Sequence, residues 1–116
     1  MLILDVFSLS ISVVNSRSES TLLHLFIVPT ENCYLWCCSL PYGAPSPSVS
    51  FLKNMNQYHL EPTTNEVILD NLIPETDYSV YCYAETISTP GIAMSNTIEE
   101  TRIDISTITG FILLFI

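Results

Sequence analysis

The chain is poor in basic residues: lysine and arginine number three, against twelve aspartates and glutamates, and the formal net charge is -9. Proteins that bind nucleic acid neutralise phosphates with clustered lysine and arginine, so this composition argues against nucleic acid as a partner. The same shortage argues against direct binding to an anionic lipid surface. We interpret the acidic charge as a solvated surface that keeps a small module soluble.

The sequence also has little of what catalysis and metal binding use. No glycine-rich phosphate loop, zinc-protease, nucleophile-elbow or calcium-loop pattern occurs. The chain has two histidines, His24 and His59, and neither stands in a local catalytic signature, so we interpret both as surface or partly buried structural residues. We interpret carboxylates such as Glu99 and Glu100 as part of a solvated face, and a calcium site between modules is the alternative. We therefore expect no enzyme activity and no cofactor.

What the chain does have is apolar and β-forming sequence. Of 116 residues, 48% are hydrophobic and 13% are charged, which fits one domain with a packed core and excludes a disordered chain. Runs with period two, separated by turn residues, predict seven strands. These strands lie at 8–14, 21–28, 32–40, 48–52, 66–69, 77–85 and within 94–108. Such spacing predicts an all-β sandwich of about 100 residues, which we place at 8–109.

Two apolar tails flank this predicted domain. Residues 1–7 lack the basic start of a signal peptide, so we interpret them as a remnant of a signal or of a preceding segment. Residues 110–116 are too few to span a bilayer, which takes about 20 residues. A truncated membrane helix, the first strand of a following module and a gene-model artefact remain open for the second tail.

One run of alternating residues is more specific than the rest. It reads Leu72-x-Pro74-x-Thr76-x-Tyr78-x-Val80-x-Cys82-x-Ala84. This pattern closely resembles the corner and following strand of the fibronectin type III domain. In physical terms, proline and threonine set a corner between two sheets, and the tyrosine buries its ring while its hydroxyl bonds back to the corner backbone. The resemblance implies a seven-stranded antiparallel immunoglobulin-like β-sandwich.

The resemblance also implies a class of function. We expect a non-catalytic interaction or adhesion module of an extracellular or cell-surface protein, with a protein partner or a neighbouring domain as its ligand. A structural spacer in a tandem array is the first alternative, and a metal-binding or enzymatic sandwich is the second. We expect neither a small-molecule ligand nor direct lipid binding.

The four cysteines are Cys33, Cys37, Cys38 and Cys82. Two strands that are neighbours in the fibronectin type III fold carry Cys37 and Cys82, so the resemblance implies a candidate disulfide between them. Reduced thiols that pack as small hydrophobic groups are the alternative. A zinc site from Cys33, Cys37 and Cys38 is a third possibility, although it lacks a second pair of ligands.

Alternation along the strands gives a candidate binding face. If Leu35 points inward, then Tyr34 and Trp36 point outward, beside Tyr81 and Tyr83 on the neighbouring strand. Aromatic residues dominate binding hot spots, so we predict that this face contacts a partner. The alternative is that the rings only pair across the strands and stabilise the sheet. The proline-rich loop at 41–48 is a second candidate for recognition.

Overall fold

The alternating segments form seven strands in the computed structural model, which describes residues 8–109. Buried apolar residues at every second position, such as Leu23, Leu25 and Ile27, give these strands the face that packs on the core. The strands are β1 (Ile11–Ser18), β2 (Leu23–Pro29), β3 (Cys33–Pro41), β4 (Gln57–Leu60), β5 (Asn65–Leu69), β6 (Asp77–Thr86) and β7 (Ile103–Ser106). A short helix, α1 (Val49–Leu52), and a 3-10 turn (Glu99–Thr101) complete the structure.

The strands build two antiparallel sheets that enclose one core. The first sheet has the order β1-β2-β5, and the second has the order β4-β3-β6-β7. Strand β2 turns Leu23, Leu25 and Ile27 fully inward, and they belong to the same buried cluster as Leu35 of β3 and Val80 of β6. The all-β sandwich predicted from the sequence is therefore present.

One predicted strand is wrong and another was missed. Residues 48–52 were expected to be a strand, yet Val49–Leu52 is the helix α1. Ser48 explains the difference, because its Oγ accepts a hydrogen bond from the Phe51 N–H at 3.1 Å and caps the helix N-terminus. Strand β4, which was not predicted, follows this helix, so the count of seven strands is right although one member differs.

The other predicted strands differ from the observed ones mainly at their ends. The first strand runs to Ser18 rather than residue 14, because a bulge between Val13 and Asn15 shifts the register and lets pairing with β2 continue. The last strand occupies four residues, Ile103–Ser106, of the interval 94–108. The two apolar tails lie outside the described residues, and the expectations about them stay predictions.

The chain enters and leaves the sandwich at opposite ends. Near residue 9, the Leu9 carbonyl accepts from the Ser95 N–H at 2.7 Å, beside the turn that follows β6. After β7, the Ile108 N–H donates to the Glu19 carbonyl at 3.2 Å, beside the turn that follows β1. These contacts place the first and the last described residues at opposite ends of the strands. Within residues 8–109, no helix has the length and apolar character needed to cross a membrane.

Candidate functional site

The bridge between Cys37 and Cys82 joins the two central strands of the larger sheet. The two residues lie directly opposite in the register of β3 and β6, with their Cα atoms 4.1 Å apart, and their side chains form a disulfide. A pair this close is the kind that exchanges no backbone hydrogen bonds. The Cys82 N–H accordingly points away from β3 and donates to the Thr101 hydroxyl at 2.9 Å. The predicted disulfide pairing is present in the structure.

The remaining cysteines, Cys33 and Cys38, are buried free thiols on opposite faces of β3. Burial raises the pKa of each thiol to about 11, so both are protonated at neutral pH. A protonated thiol is a poor nucleophile. Across residues 8–109, no group of three histidine, cysteine or carboxylate side chains is placed to hold a metal ion.

The motif that carried the family resemblance forms a hydrogen-bonded corner before β6. The buried Tyr78 ring turns its hydroxyl back to accept a hydrogen bond from the Ile73 N–H at 2.9 Å. The Thr76 hydroxyl donates to the Pro74 carbonyl at 2.9 Å, and Leu72 packs against the core. The corner residues therefore fix where the chain crosses from the smaller sheet to the larger one.

A residue that the sequence did not single out completes this corner. Thr107 is buried just after β7, and its hydroxyl accepts from the Thr76 N–H at 3.0 Å and donates to the Ile73 carbonyl at 2.6 Å. The hydroxyl thus satisfies backbone groups that the turn leaves without a strand partner. Because these contacts join residues that are 31 and 34 positions apart, no local sequence signal points to them.

The predicted aromatic face has the expected side-chain directions but little exposure. Trp36 is 4% exposed, Tyr81 0% and Tyr83 6%, whereas Tyr34 is half-buried and lies 5.8 Å from the His59 ring. Trp36 and Tyr83 stack across the strands with ring centroids 6.0 Å apart. Three of these four rings are therefore shielded from solvent, and the contact of this face with a partner stays a prediction.

The cover over these rings is the chain between β3 and β4. Helix α1 packs on β3 and β6, with Leu52 fully buried. The Tyr81 hydroxyl donates to the Ala44 carbonyl at 2.6 Å, which fastens the start of the cover. At its other end the Lys53 ammonium lies 5.1 Å from the centre of the Trp36 ring. The proline-rich loop at 41–48 is thus part of a lid, which is the chain between β3 and β4 and which covers the outer face of the larger sheet.

The Glu85 carboxylate contacts both this lid and the sheet beneath it. The Lys53 ammonium lies 3.0 and 3.1 Å from the two carboxylate oxygens of Glu85, and the Tyr83 hydroxyl donates to Glu85 at 2.9 Å. Burial, and then the hydrogen bond and charge of Glu85, raise the pKa of Tyr83 to about 12. The phenol therefore stays a neutral donor to this carboxylate at physiological pH.

A charged cluster on the outer side of the smaller sheet surrounds His24. The Nε2 atom of His24 lies 2.6 Å from Glu19, and its Nδ1 atom lies 2.5 Å from Glu66. Arg17 lies 3.2 Å from the same Glu19 oxygen. The hydrogen bond from His24 is the largest cause that lowers the pKa of Glu19. His24 is buried and fully engaged by its neighbours, which fits a structural role better than catalysis.

Exposed apolar side chains mark the two ends of the sandwich. Ile92 is 64% exposed beside Ile87 in the turn after β6, where the chain enters. Ile73 is 65% exposed at the corner, near the exposed Ile108, where the chain leaves. The described part of the sandwich therefore has exposed isoleucines at both of its ends.

Comparison with known proteins does not place the chain in a group. No family model and no curated protein matches the sequence. The corner, the bridge and the strand order are therefore the observations that bear on kinship and function.

Proposed function

We propose that this chain is a non-catalytic, fibronectin type III-like module of a cell-surface or extracellular protein that acts by contacting a protein partner or neighbouring modules. The entry and exit of the chain at opposite ends of the sandwich is the observation that carries this proposal. A module with this geometry fits into a linear array without a change of fold. Its exposed isoleucine pairs then lie at the two junctions.

The corner and the bridge support the family assignment within this proposal. The hydrogen bond from the Ile73 N–H to the Tyr78 hydroxyl resembles the tyrosine-corner interaction of immunoglobulin-like sandwiches, which supports the assignment. Cys37 and Cys82 lie on adjacent strands, as the resemblance requires. Disulfides persist in oxidising compartments, so the Cys37–Cys82 bridge supports an extracellular or cell-surface location.

A structural spacer is the second candidate function. The lid over Trp36, Tyr81 and Tyr83 favours this candidate. It shields the aromatic face that the sequence analysis proposed as a ligand surface. A spacer needs only a folded sandwich that the chain enters and leaves at opposite ends, and the described residues have this arrangement. The two candidates differ in whether the module has a saturable partner of its own.

The test is a binding screen with the full chain displayed in many copies on fluorescent beads. The beads are presented to cells that each express one extracellular protein from a panel. The interaction function predicts saturable binding to a discrete member, and Ile92→Lys or Ile73→Lys should weaken it if an end of the sandwich makes the contact. Val14→Lys is the matched control, because Val14 is also exposed but lies on β1 away from both ends. Failure to bind any member would contradict the interaction function and leave the spacer.

A second measurement tests the compartment. Protein secreted through an oxidising compartment is alkylated in denaturant and its mass is compared with and without reduction. The proposal predicts one bridge, between Cys37 and Cys82, and two alkylated thiols. Four alkylated cysteines would contradict the extracellular location.

A further inference from the structure

Strand β3 is longer than the partner on one of its sides. It runs Cys33–Pro41 and pairs with β6 over its whole length, but β4 pairs only with Cys33–Trp36. From residue 37 onward, no strand of the described chain lies along that edge of β3. One edge of β3 is therefore unpaired from residue 37 onward, where the pairing with β4 stops.

Ser39 presents hydrogen-bonding groups to this open edge. Cys37 and Cys82 form a close pair that exchanges no backbone hydrogen bonds. Because such pairs alternate along antiparallel strands, Ser39 and Val80, two residues further on, exchange none either. The Ser39 N–H and carbonyl consequently point away from β6. The Ser39 hydroxyl oxygen is shielded from solvent and has no hydrogen-bond partner within residues 8–109. Buried polar groups normally have partners, so this one calls for an explanation.

A cleft of about 340 Å³ opens over this edge. Phe51 and Met55 line one side, next to α1, and Ile68 and Leu72 line the other, next to β5. Phe51 is 42% exposed, so part of its ring is open to an occupant of the cleft. The cleft thus combines apolar walls with an open strand edge, which are the two features of strand-addition sites.

The charge of the cleft indicates which kind of segment it would bind. Asp70 lines the cleft, and none of the lysines, arginines and histidines among residues 8–109 does. The whole chain carries a formal charge of -9, so its field attracts cationic segments.

We propose that this cleft is a strand-addition site for an extended peptide of a protein partner that alternates apolar and basic residues. The peptide lies against β3 in line with β4 and exchanges backbone hydrogen bonds with Ser39. Its apolar side chains point toward the core and pack on Ile68 and Leu72, and its basic side chains pass beside Phe51 and Met55 on the opposite wall. This inference deepens the proposed interaction function and rests on it. It names a site and a partner chemistry that the isoleucine pairs at the ends of the sandwich do not involve.

The probe is an acetylated, amidated peptide of about eight residues, a length typical of strands, that alternates valine and lysine. In a peptide strand paired with β3, the residue opposite Ser39 has its side chain toward the core, and its N–H points at β3. Methylation of the valine nitrogens should therefore block pairing, whereas methylation of the lysine nitrogens leaves the pairing edge free. The two methylated peptides have equal charge and composition. We expect saturable binding by calorimetry, weakened about tenfold or more by valine methylation and less than about threefold by lysine methylation.

Two variants of α1 locate the binding. Phe51→Lys places a positive charge in the cleft, and Val49→Lys places the same charge on the same helix outside it. We expect Phe51→Lys to weaken binding about tenfold or more and Val49→Lys to change it less than about threefold. Circular dichroism and the unfolding midpoint show whether each variant is folded. Equal binding of both methylated peptides, equal effects of both variants, or no saturable binding would overturn the site. A partner found in the cell-surface screen would still support the interaction function after any of these outcomes.

Discussion

Reduction of the Cys37–Cys82 bridge should lower the free energy of unfolding by about 4 kcal/mol. The bridge closes a loop with a sequence separation of 45 residues. In the chain-entropy model, a loop of that length removes about 13 cal/mol/K of entropy from the unfolded state, which gives about 4 kcal/mol at 25 °C. Because the two residues face each other on paired strands, their thiols stay adjacent in the reduced protein. Nearly all of the loss should therefore come from the unfolded state.

Equilibrium unfolding in urea measures this loss directly. Both cysteines are buried, so the bridge is reduced in denaturant and the protein is then refolded under reductant. The oxidised and reduced forms should differ in unfolding midpoint, and the reduced form should have the larger m-value because its unfolded state is more expanded. In thermal unfolding the midpoint should fall by roughly 15 °C or more for a domain of this size.

The double variant Cys37→Ala, Cys82→Ala is the control. It should lose at least as much stability as the reduced protein, since it also loses two buried sulfur atoms, and it should not respond to reductant. A loss below about 1 kcal/mol on reduction would refute the entropic reasoning. It would mean that the unfolded chain already holds the two central strands together.

Three further predictions test the corner, the lid and the thiols. Tyr78→Phe removes the hydroxyl that accepts from the Ile73 N–H, so it should cost about 1–2 kcal/mol in urea unfolding with no change of fold, and an unchanged midpoint would show that water replaces the hydroxyl. Leu52→Ala empties a fully buried site under the lid, so it should cost about 2–5 kcal/mol and increase acrylamide quenching of the single tryptophan; constant quenching would contradict the lid. Cys33 and Cys38 have a thiol pKa raised by burial to about 11, so neither should react with a disulfide reagent at neutral pH until the protein unfolds. Because the folded pKa lies above the ordinary value of 9.0, the native state binds the proton more tightly, and stability should fall as the pH rises from about 9 to about 11.

The sequence was most informative where structure is set by local alternation. Residues 72–84 predicted the corner and the strand that follows it, since a period of two fixes which side chains share a face. The same alternation could not decide residues 48–52, because a short apolar run fits a helix or a strand equally well. The Ser48 cap decided for the helix, and the serine at the start of the run was the available signal.

Exposure was less predictable than direction. Alternation gave the correct face for Trp36 and Tyr83, but it says nothing about which other segment lies over that face. The lid depends on Lys53 meeting Glu85, a contact across 32 residues. The pairing of His24 with Glu66 spans 42 residues and was missed for the same reason. The open edge of β3 follows from the length of β4, a strand that the sequence did not reveal.

The position of the bridge would shape how the module responds to mechanical tension. A pulling force applied at residues 8 and 109 would act at opposite ends of the sandwich, on the edge strands β1 and β7 before the central strands β3 and β6. The bridge spans 45 residues, so roughly 150 Å of contour length, at about 3.4 Å per residue, stays locked however far the flanking strands are drawn out. In an oxidised array each module would therefore lengthen by a limited first step. Reduction would add a second, longer step, which makes the extensibility of the protein a function of its redox surroundings.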